Sequence, residues 1–367
     1  MTEIRIPSGM RDILSTECEK KEELRNRITS VYKAYGYRPV ETPLIEFYST
    51  YQNTFTSLKE ETLYKFVDES GQLLVLRTDM TLPIARLTAL RYRDDELPLR
   101  FSYCAPVYKV RQTFAGKRNE VTDCGIELIG LDSDSDLEVL SCALDVMAAI
   151  GARNYTLEIG SGDFFRRAAE ECGISKEDTK TLADLIDRKE IPALKQFVAS
   201  LQLNQEAANF FEQLPFLAGK DALVKAEKLC FAYSLKEEAG SLLELKAKLE
   251  ELGYGEVISF DLGKVPHLDY YTGIIFEGYI EGFGSSVLSG GRYDGLLNKL
   301  GRDLPAIGFG VKLDYLLETF EEPKTYITKL YYPKDQDTEA IRLARELRKE
   351  GPVELIPWEK DTMEVVK

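Results

Sequence analysis

Hydrophobic positions recur at helical spacing in several stretches of the chain. Residues 24 to 35 place apolar side chains three or four positions apart after Thr16–Glu19, which has the form of a capping box, and they predict a first amphipathic helix. Ser135–Glu138 has the same form before an apolar stripe that ends at Gly151, and predicts another helix. Residues 163 to 252 keep helical periodicity with almost no strand pattern, so we expect a helical insertion there.

Other stretches have the apolar, β-branched or aromatic content of strands. These are Leu73–Leu76, Phe101–Val110, Tyr155–Ile159, Val257–Leu262, Thr272–Ile280, Ser285–Leu288 and Ala306–Gly310. A helix is predicted over Thr81–Tyr92 and another from Leu313, while the proline-rich segment Pro39–Glu46 suits an edge or interface strand. Strands separated by an inserted helical block indicate an α+β architecture on a mostly antiparallel sheet.

The segment after Pro323 has a pattern of its own. Its strand, helix and strand are predicted over Tyr326–Tyr332, Thr338–Lys349 and Val353–Ile356, which is one βαβ unit and too little chain for an independent core. We therefore predict a main domain of residues 1 to 320, with the helical insertion at about 163 to 252, and a short α/β tail of residues 324 to 367.

The composition argues against several classes of protein. Lys and Arg number 47 and Asp and Glu number 62, a net charge of −15, so a basic face for nucleic acid is not favoured. A membrane span needs about 18 apolar residues in succession, and no stretch of the sequence approaches that length. The N-terminal segment does not resemble a signal peptide. The six cysteines form no closely spaced pair and are expected to be reduced thiols in a cytoplasmic protein without membrane contact.

Metal and nucleotide sites find little support in the sequence. His267 is the only histidine, which excludes a multi-histidine metal site, and an ordinary loop or partly buried histidine is its plain interpretation. The glycines between Gly282 and Gly295 lack the Gly-Lys-Ser/Thr ending of a phosphate-binding loop, and close approach of the backbone to a small ligand explains them better. No cofactor and no metal are predicted.

Two segments carry a resemblance to a known family. Leu268–Glu277 (LDYYTGIIFE) and Ser289–Leu296 (SGGRYDGL) resemble the pair of segments with which histidyl-tRNA synthetases build their amino-acid pocket. Residues 36–46, 108–130 and 306–316 resemble, in order, the three motifs that define class II synthetases, of which the first builds the dimer interface in the family. The resemblance covers roughly residues 1 to 320 and implies the class II synthetase fold, an antiparallel sheet flanked by helices.

The resemblance also implies a set of histidine-binding residues. They are Asp79, Thr81, Asp123, Glu127, Tyr270, Tyr271 and Tyr293. Asp79 and Thr81 match the residues that hold the α-amino group, and their spacing of two on an extended segment points both to one side. Asp123 matches a supporting position where family members usually have an amide, Glu127 matches the acceptor for the imidazole, and the tyrosines match aromatic positions at the imidazole end.

Simpler roles stay open for each of these residues. Asp79 would also suit the N-cap of the helix that follows, and the tyrosines are ordinary strand residues. Glu127 lies in an apolar strand, where burial without a partner would be costly, so we expect a cationic or N–H partner, with a neighbouring arginine as the plain alternative.

The positions of the family's reactive arginines hold other residues. In the family three arginines bridge the carboxylate of the amino acid and the α-phosphate of ATP, and ungapped alignment places Lys109, Pro266 and Tyr315 there. Arg111 and Lys117 stand where the family has an adenine-contacting acid and a further phosphate-contacting arginine, although a gap in this segment would place Arg111 on the missing arginine instead. Losing one such contact costs about 10²–10³ in rate, so no catalytic residue is predicted.

Retention of the amino-acid half without the reactive half predicts a sensor of histidine. The chain resembles the synthetase-like regulatory subunits of ATP phosphoribosyltransferase, which implies a short-form catalytic subunit as partner, a self-dimer within the hetero-oligomer, and feedback inhibition by L-histidine in the first step of its biosynthesis. The tail resembles only the first part of an anticodon-binding domain, which argues against productive tRNA binding. A truncated histidyl-tRNA synthetase and a synthetase-like module for another ligand stay as alternatives.

Overall fold

A computed structural model describes residues 5–55, 59–111, 118–265, 271–317, 320 and 327–366. Within these residues the strands are β1 (Arg38–Pro39), β2 (Ile45–Phe47), β3 (Lys65–Val67), β4 (Leu73–Leu76), β5 (Leu99–Tyr108), β6 (Glu120–Ile129), β7 (Tyr155–Ser161), β8 (Ile258–Phe260), β9 (Ile274–Ile280), β10 (Leu288–Arg292), β11 (Ala306–Lys312), β12 (Thr328–Pro333), β13 (Val353–Trp358) and β14 (Glu364–Val366).

The helices of the same residues surround these strands. They are α1 (Ser15–Ala34), α2 (Tyr48–Thr54), α3 (Thr81–Arg91), α4 (Asp136–Ala149), α5 (Gly162–Glu171), α6 (Lys176–Asp187), α7 (Ile191–Ser200), α8 (Gln205–Gln213), α9 (Ala222–Leu229), α10 (Tyr233–Glu251), α11 (Asp294–Lys299), α12 (Leu313–Leu316) and α13 (Asp337–Leu347). The chain divides into two units, Met1–Phe320 and Glu321–Lys367, which are described separately.

The first unit is built on an eight-stranded sheet with the order β1-β5-β6-β11-β10-β9-β7-β8. Its inner pairings are all antiparallel, whereas the pairs at the two edges, β1 with β5 and β7 with β8, are parallel. The predicted α+β architecture with a mostly antiparallel sheet is therefore confirmed. A separate small sheet, β2-β4-β3, lies beside it.

The two faces of the large sheet have different cover. On one face α1 and α4 pack against apolar side chains of the strands, with Tyr32, Leu144 and Ile126 fully buried in that core. On the other face α3 and α11 contribute Ile84 and Leu296 to a smaller apolar cluster. Because side chains are buried on both faces of the sheet, the central strands have runs of apolar residues rather than a strict alternation of apolar and polar residues.

Most predicted elements are present, and the differences lie at their ends. Helices α5 to α10 occupy the stretch that was predicted to be a helical insertion. Neither predicted capping box forms, because α1 starts at Ser15 without a side-chain cap and the hydroxyl of Ser135 donates to the carbonyl of Asp132 at 2.8 Å. Strand β10 starts at Leu288 rather than Ser285, and β14 was not predicted.

The expectation of reduced thiols throughout is wrong for one pair of cysteines. Cys104 and Cys124 lie directly opposite each other on β5 and β6, with Cα atoms 4.0 Å apart, and form a disulfide. A sequence separation of 20 gave no sign of this contact, because it depends on the register of the two strands. Cys18, Cys142, Cys172 and Cys230 are free.

The second unit is a small α/β layer. Strands β12 and β13 are parallel and joined through α13, as the predicted βαβ pattern requires, and β14 adds an antiparallel strand on the other side of β12. Leu330, Ala340 and Ala344 form its buried core. Among the helices of the described residues, none is long and apolar enough to cross a membrane.

Candidate functional site

The candidate site, here called the pocket, lies on the sheet face that carries α3 and α11, and glycines of the strands lie beneath its side chains and form its floor. Gly125 pairs with Gly310 across β6 and β11, and Glu127 pairs with Gly308. A Cβ atom at Gly308 would lie 1.9 Å from Glu127 Oε2, and one at Gly291 would lie 2.7 Å from the ring of Tyr271. Because these glycines have no side chains, the side chains of Glu127 and Tyr271 can occupy the space above them.

Glu127 is buried at one end of this pocket. Its carboxyl accepts hydrogen bonds from Thr81 Oγ1, at 2.8 Å, and from the hydroxyl of Tyr293. Burial raises the pKa of Glu127 to about 8, although both hydrogen bonds oppose the increase. The expected cationic or N–H partner and the alternative of a pairing arginine are both wrong, because hydroxyl groups suffice for a carboxyl that is mostly neutral at pH 7.

Asp79 and Thr81 lie at the start of α3. Asp79 accepts from the backbone N–H of Leu82 at 3.0 Å and from the hydroxyl of Thr78 at 2.9 Å. The alternative role of Asp79 as a helix cap is thus present, and its carboxylate keeps acceptor capacity for a cation. Thr81 turns its hydroxyl to Glu127, so the two residues expected to share an amino group have different partners in the ligand-free protein.

Asp123 lies one pleat repeat beyond the glycine floor and directly opposite Lys312 on β11. Burial raises its pKa to about 7, while Lys312 opposes the increase and Asp79 adds to it. The pocket thus has a carboxyl group at Asp123 and another at Glu127, four residues or about 13 Å apart along β6. These two acidic positions suit a ligand with an amine at one end and a polar ring at the other.

The tyrosines contribute unequally. Tyr293 is 2% exposed and donates to Glu127, and Tyr271 lies over Gly291 at the edge of the same apolar cluster. Tyr270 falls outside the described residues, together with Pro266 and His267. The structure therefore brings together Thr81, Glu127 and Tyr293 by direct hydrogen bonds, and it places Asp79, Asp123 and Tyr271 around them.

Two arginines fix the segments that supply these groups, and the sequence did not single them out. Arg77 donates to the carbonyls of Pro106, at 2.8 Å, and Thr42, at 2.9 Å, and so holds the strand that leads into α3. Arg292 is buried against Asp136 and also binds backbone carbonyls before α4. A charged residue inside each segment that resembles the family, LRTDMT and GGRYDGL, was the only available signal.

Sequence reasoning also missed Tyr103 and Lys312. Tyr103 is buried with its hydroxyl close to Gly125 and Gly310, and burial, with the charges of Glu127 and Asp123, holds its pKa well above the usual range. Lys312 ends β11 on the same side as Asp123. Both roles depend on strand register, which alternation alone does not give.

The positions matched to catalytic arginines have their own contacts. The backbone N–H of Lys109 bonds the carbonyl of Asn119 at 2.8 Å, which extends the β5–β6 ladder by one residue. Tyr315 packs against the apolar cluster on the pocket face. Beside it, Asp314 binds Lys21 at 3.0 Å. Tyr315 thus contributes an aromatic ring where the family has a permanent charge.

The raised pKa values predict that a cationic amine binds more tightly as the pH rises. At pH 6 Asp123, with its pKa of about 7, is mostly protonated, and by pH 8 it is mostly ionised. If only the ionised form holds the amine, affinity increases about tenfold over this range, and binding releases protons. Because folding raises the pKa, this group stabilises the ligand-free fold most at low pH and loses that contribution as the pH rises through about 7.

Calorimetric titration of histidine at pH 6 and pH 8 tests this expectation. The variant Asp123→Asn should lose the tenfold part of the pH dependence that Asp123 contributes, since it removes one titrating carboxyl with little change of shape and leaves Glu127, with its pKa of about 8, in place. Equal affinity at both pH values in the unaltered protein would contradict the assignment of Asp123 to the amine.

Comparisons with known proteins agree with this geometry. The family described as Histidyl-tRNA synthetase matches residues 9–316. The chain is 36% identical over 361 residues to the ATP phosphoribosyltransferase regulatory subunit of Clostridium kluyveri, covering 95% of this chain and 92% of the relative. A crystal structure of an ATP phosphoribosyltransferase regulatory subunit/histidyl-tRNA synthetase from Bacillus halodurans superposes with a TM-score of 0.87 at 32% identity, covering 96% of this chain and 92% of that chain.

A histidyl-tRNA synthetase from Nostoc, at 21% identity, shares the fold with a TM-score of 0.82 over 99% of this chain and 88% of that chain. The class II synthetase-like fold inferred from the motifs is confirmed by these matches. With relatives of the same name at 34–36% identity over nearly the whole chain, the chain belongs to the ATP phosphoribosyltransferase regulatory subunit family, within the histidyl-tRNA synthetase-like proteins.

Proposed function

We propose that this chain is the regulatory subunit that activates a short-form ATP phosphoribosyltransferase and makes it sensitive to L-histidine. The catalytic subunit performs the first step of histidine biosynthesis, and histidine bound in the pocket acts as the feedback signal. The observation that supports this proposal most directly is the hydrogen-bonded set of Thr81, Glu127 and Tyr293 above the glycine floor, with Asp79 and Asp123 beside it. Regulation of this kind places the protein in the cytoplasm with its partner enzyme.

The chemistry of histidine supports this assignment. Its α-ammonium group is suited to the carboxylates of Asp79 and Asp123, and its imidazole N–H is suited to the carboxyl of Glu127. Thr81 and Tyr293 donate to Glu127, so an imidazole would meet an acceptor that these hydroxyl groups orient. Preorganisation of this kind reduces the cost of ordering side chains on binding.

We further propose that the subunit has no catalytic activity of its own. Bringing a carboxylate against a phosphate requires fixed cations, and Tyr315 supplies an aromatic ring at one of those positions. Histidine-dependent exchange of pyrophosphate with ATP would overturn this proposal and favour a truncated histidyl-tRNA synthetase. Absence of histidine binding in calorimetry would favour a synthetase-like module for another ligand.

Reconstitution with the catalytic subunit tests the function directly. Phosphoribosyl transfer should be weak with the catalytic subunit alone, should rise when this chain is added, and should fall again with increasing histidine. Because coupling is reciprocal, substrates of the catalytic subunit should weaken the binding of histidine by the same factor. Full activity of the catalytic subunit without this chain, or activity indifferent to histidine, would contradict the proposal.

A self-dimer within the hetero-oligomer is part of the same proposal. On one face of the small sheet β2-β4-β3 the apolar side chains of Ile45, Phe47 and Phe66 are exposed. Exposed apolar groups that lie together on a soluble domain are typical of protein interfaces. Sedimentation of the isolated subunit should give the mass of a dimer, and a monomer at all concentrations would remove this part of the proposal.

A further inference from the structure

The pocket has a cationic end beyond Asp123. Side chains along a strand alternate between the two faces of the sheet, so Ala105 and Lys109, which are four residues apart, lie on the same face. Ala105 pairs with Asp123 on β6. The hydrogen bond from the Lys109 N–H to the Asn119 carbonyl shows that the ladder still holds at this point. Lys312 reaches the same face from β11, where it lies directly opposite Asp123.

Arg111 adds a further cation to this end. Its backbone N–H donates to Asn119 Oδ1 at 2.9 Å, which fixes the chain just beyond Lys109. Within the described part of the chain, the Nε atom of Arg111 is buried without a hydrogen-bond partner. A buried guanidinium N–H of this kind has capacity for an oxyanion.

The charges at this end repel one another in the ligand-free protein. Burial lowers the pKa of Lys109, and repulsion from Arg111 and Lys312 lowers it further. Lys312 lies directly opposite Asp123 and favours the ionised forms of Asp123 and Glu277. A bound anion would offset the repulsion between these cationic side chains.

We propose that Lys312, together with Lys109, forms an oxyanion subsite that takes the α-carboxylate of the amino acid bound in this pocket. The inference rests on the proposed function, since it assigns the remaining group of the same ligand. An amino acid whose ammonium group lies at Asp79 and Asp123 carries its carboxylate on the adjacent carbon, next to Lys312. Lys312 therefore distinguishes amino acids from amines that lack the carboxylate.

Binding of the carboxylate by lysines differs from the arrangement of arginines with which a synthetase makes the carboxylate react. A lysine ammonium is a compact charge on a flexible stem, and it can hold one carboxylate without fixing it in the bidentate geometry that an arginine provides. Holding the carboxylate within the pocket favours stable binding of the free amino acid. Such an arrangement suits a ligand that is detected and released unchanged.

The experiment compares L-histidine with L-histidinol, which has a hydroxymethyl group in place of the carboxylate. Calorimetry on the full chain should show histidine binding more tightly than histidinol by on the order of 10- to 100-fold. In Lys312→Met this ratio should fall to nearly one through loss of histidine affinity, and Lys109→Met should reduce it in part. Lys312→Arg, which keeps the charge, should retain most of the preference.

A matched control is Lys220→Met, since Lys220 is an exposed lysine that pairs with Glu256 at 3.5 Å on the surface. This control should leave the ratio unchanged. A lysine that only supports the fold would move the affinities for both ligands together, so an unchanged ratio in Lys312→Met and Lys109→Met overturns the inference. Failure of histidine to bind the unaltered protein would instead overturn the proposed function.

Competition with inorganic phosphate distinguishes a subsite for the carboxylate of the amino acid from a site for a separate anion. If the subsite serves the amino acid, phosphate should compete with histidine and have little effect on histidinol. Binding of phosphate that depends on Lys312 but leaves histidine affinity unchanged would assign these lysines to a separate anion, and would contradict the proposal.

Discussion

Replacement of Gly308 by alanine is expected to abolish the binding of histidine. The new Cβ atom would lie 1.9 Å from Glu127 Oε2 and 2.4 Å from the backbone carbonyl oxygen of Ile126. The side chain of Glu127 would have to leave its hydrogen bonds with Thr81 and Tyr293, and the backbone of β6 has little freedom to move. Overpacking of this kind also costs about 1–3 kcal/mol of stability.

Calorimetry with histidine and thermal unfolding together measure this result. Gly284→Ala is the matched control, because a Cβ atom at Gly284 meets nothing within 4 Å. Gly291→Ala is a second variant, with its Cβ atom 2.7 Å from the ring of Tyr271. A folded Gly308→Ala protein that binds histidine with unaltered affinity would show that the floor of this pocket is not the ligand site.

The variant Arg292→Met is expected to lose about 3–5 kcal/mol of unfolding free energy. Arg292 is 4% exposed and Asp136 is 7% exposed, with Arg292 Nε 3.0 Å from Asp136 Oδ1. Burial raises the pKa of Asp136 to about 6 even though Arg292 opposes the increase. Without the guanidinium this carboxyl would be buried without a counter-charge, and the carbonyls of Leu131 and Asp132 would lose their donor.

Urea unfolding of Arg292→Met beside Arg166→Met measures the cost. Arg166 binds Asp163 and Glu170 on the surface, where such pairs are worth about 0–1 kcal/mol. The first variant should also lower histidine affinity, because Arg292 fixes the segment that carries Tyr293. Equal stability of the two variants would contradict the role of Arg292 as a buried anchor.

The sequence predicted those features that depend on local pattern. The short apolar run of residues 73 to 76 predicted β4 at its observed limits, and the apolar stripe after Ser135 predicted α4. The resemblance also placed Thr81, Glu127 and Tyr293 in one pocket, and hydrogen bonds join them. Their role in binding histidine stays a prediction.

The sequence did not predict contacts that depend on strand register. The pairing of Asp123 with Lys312, of Glu127 with Gly308 and of Cys104 with Cys124 each follows from which residues lie opposite across a ladder. A shift of one residue would turn every side chain to the other face, and periodicity does not fix that shift. The choice of hydroxyl partners for Glu127 likewise follows from packing between α3, α11 and β6.

Histidine inhibition of the reconstituted transferase, measured with the unaltered chain and with Glu127→Gln, tests the central claim most directly. Activity is normalised to that of each complex without histidine. Glutamine keeps the size of the side chain but cannot lose a proton to become the anionic acceptor that the imidazole N–H favours, so half-inhibition should require roughly 10- to 100-fold more histidine. The same half-inhibitory concentration for both complexes would show that histidine acts somewhere other than in this pocket.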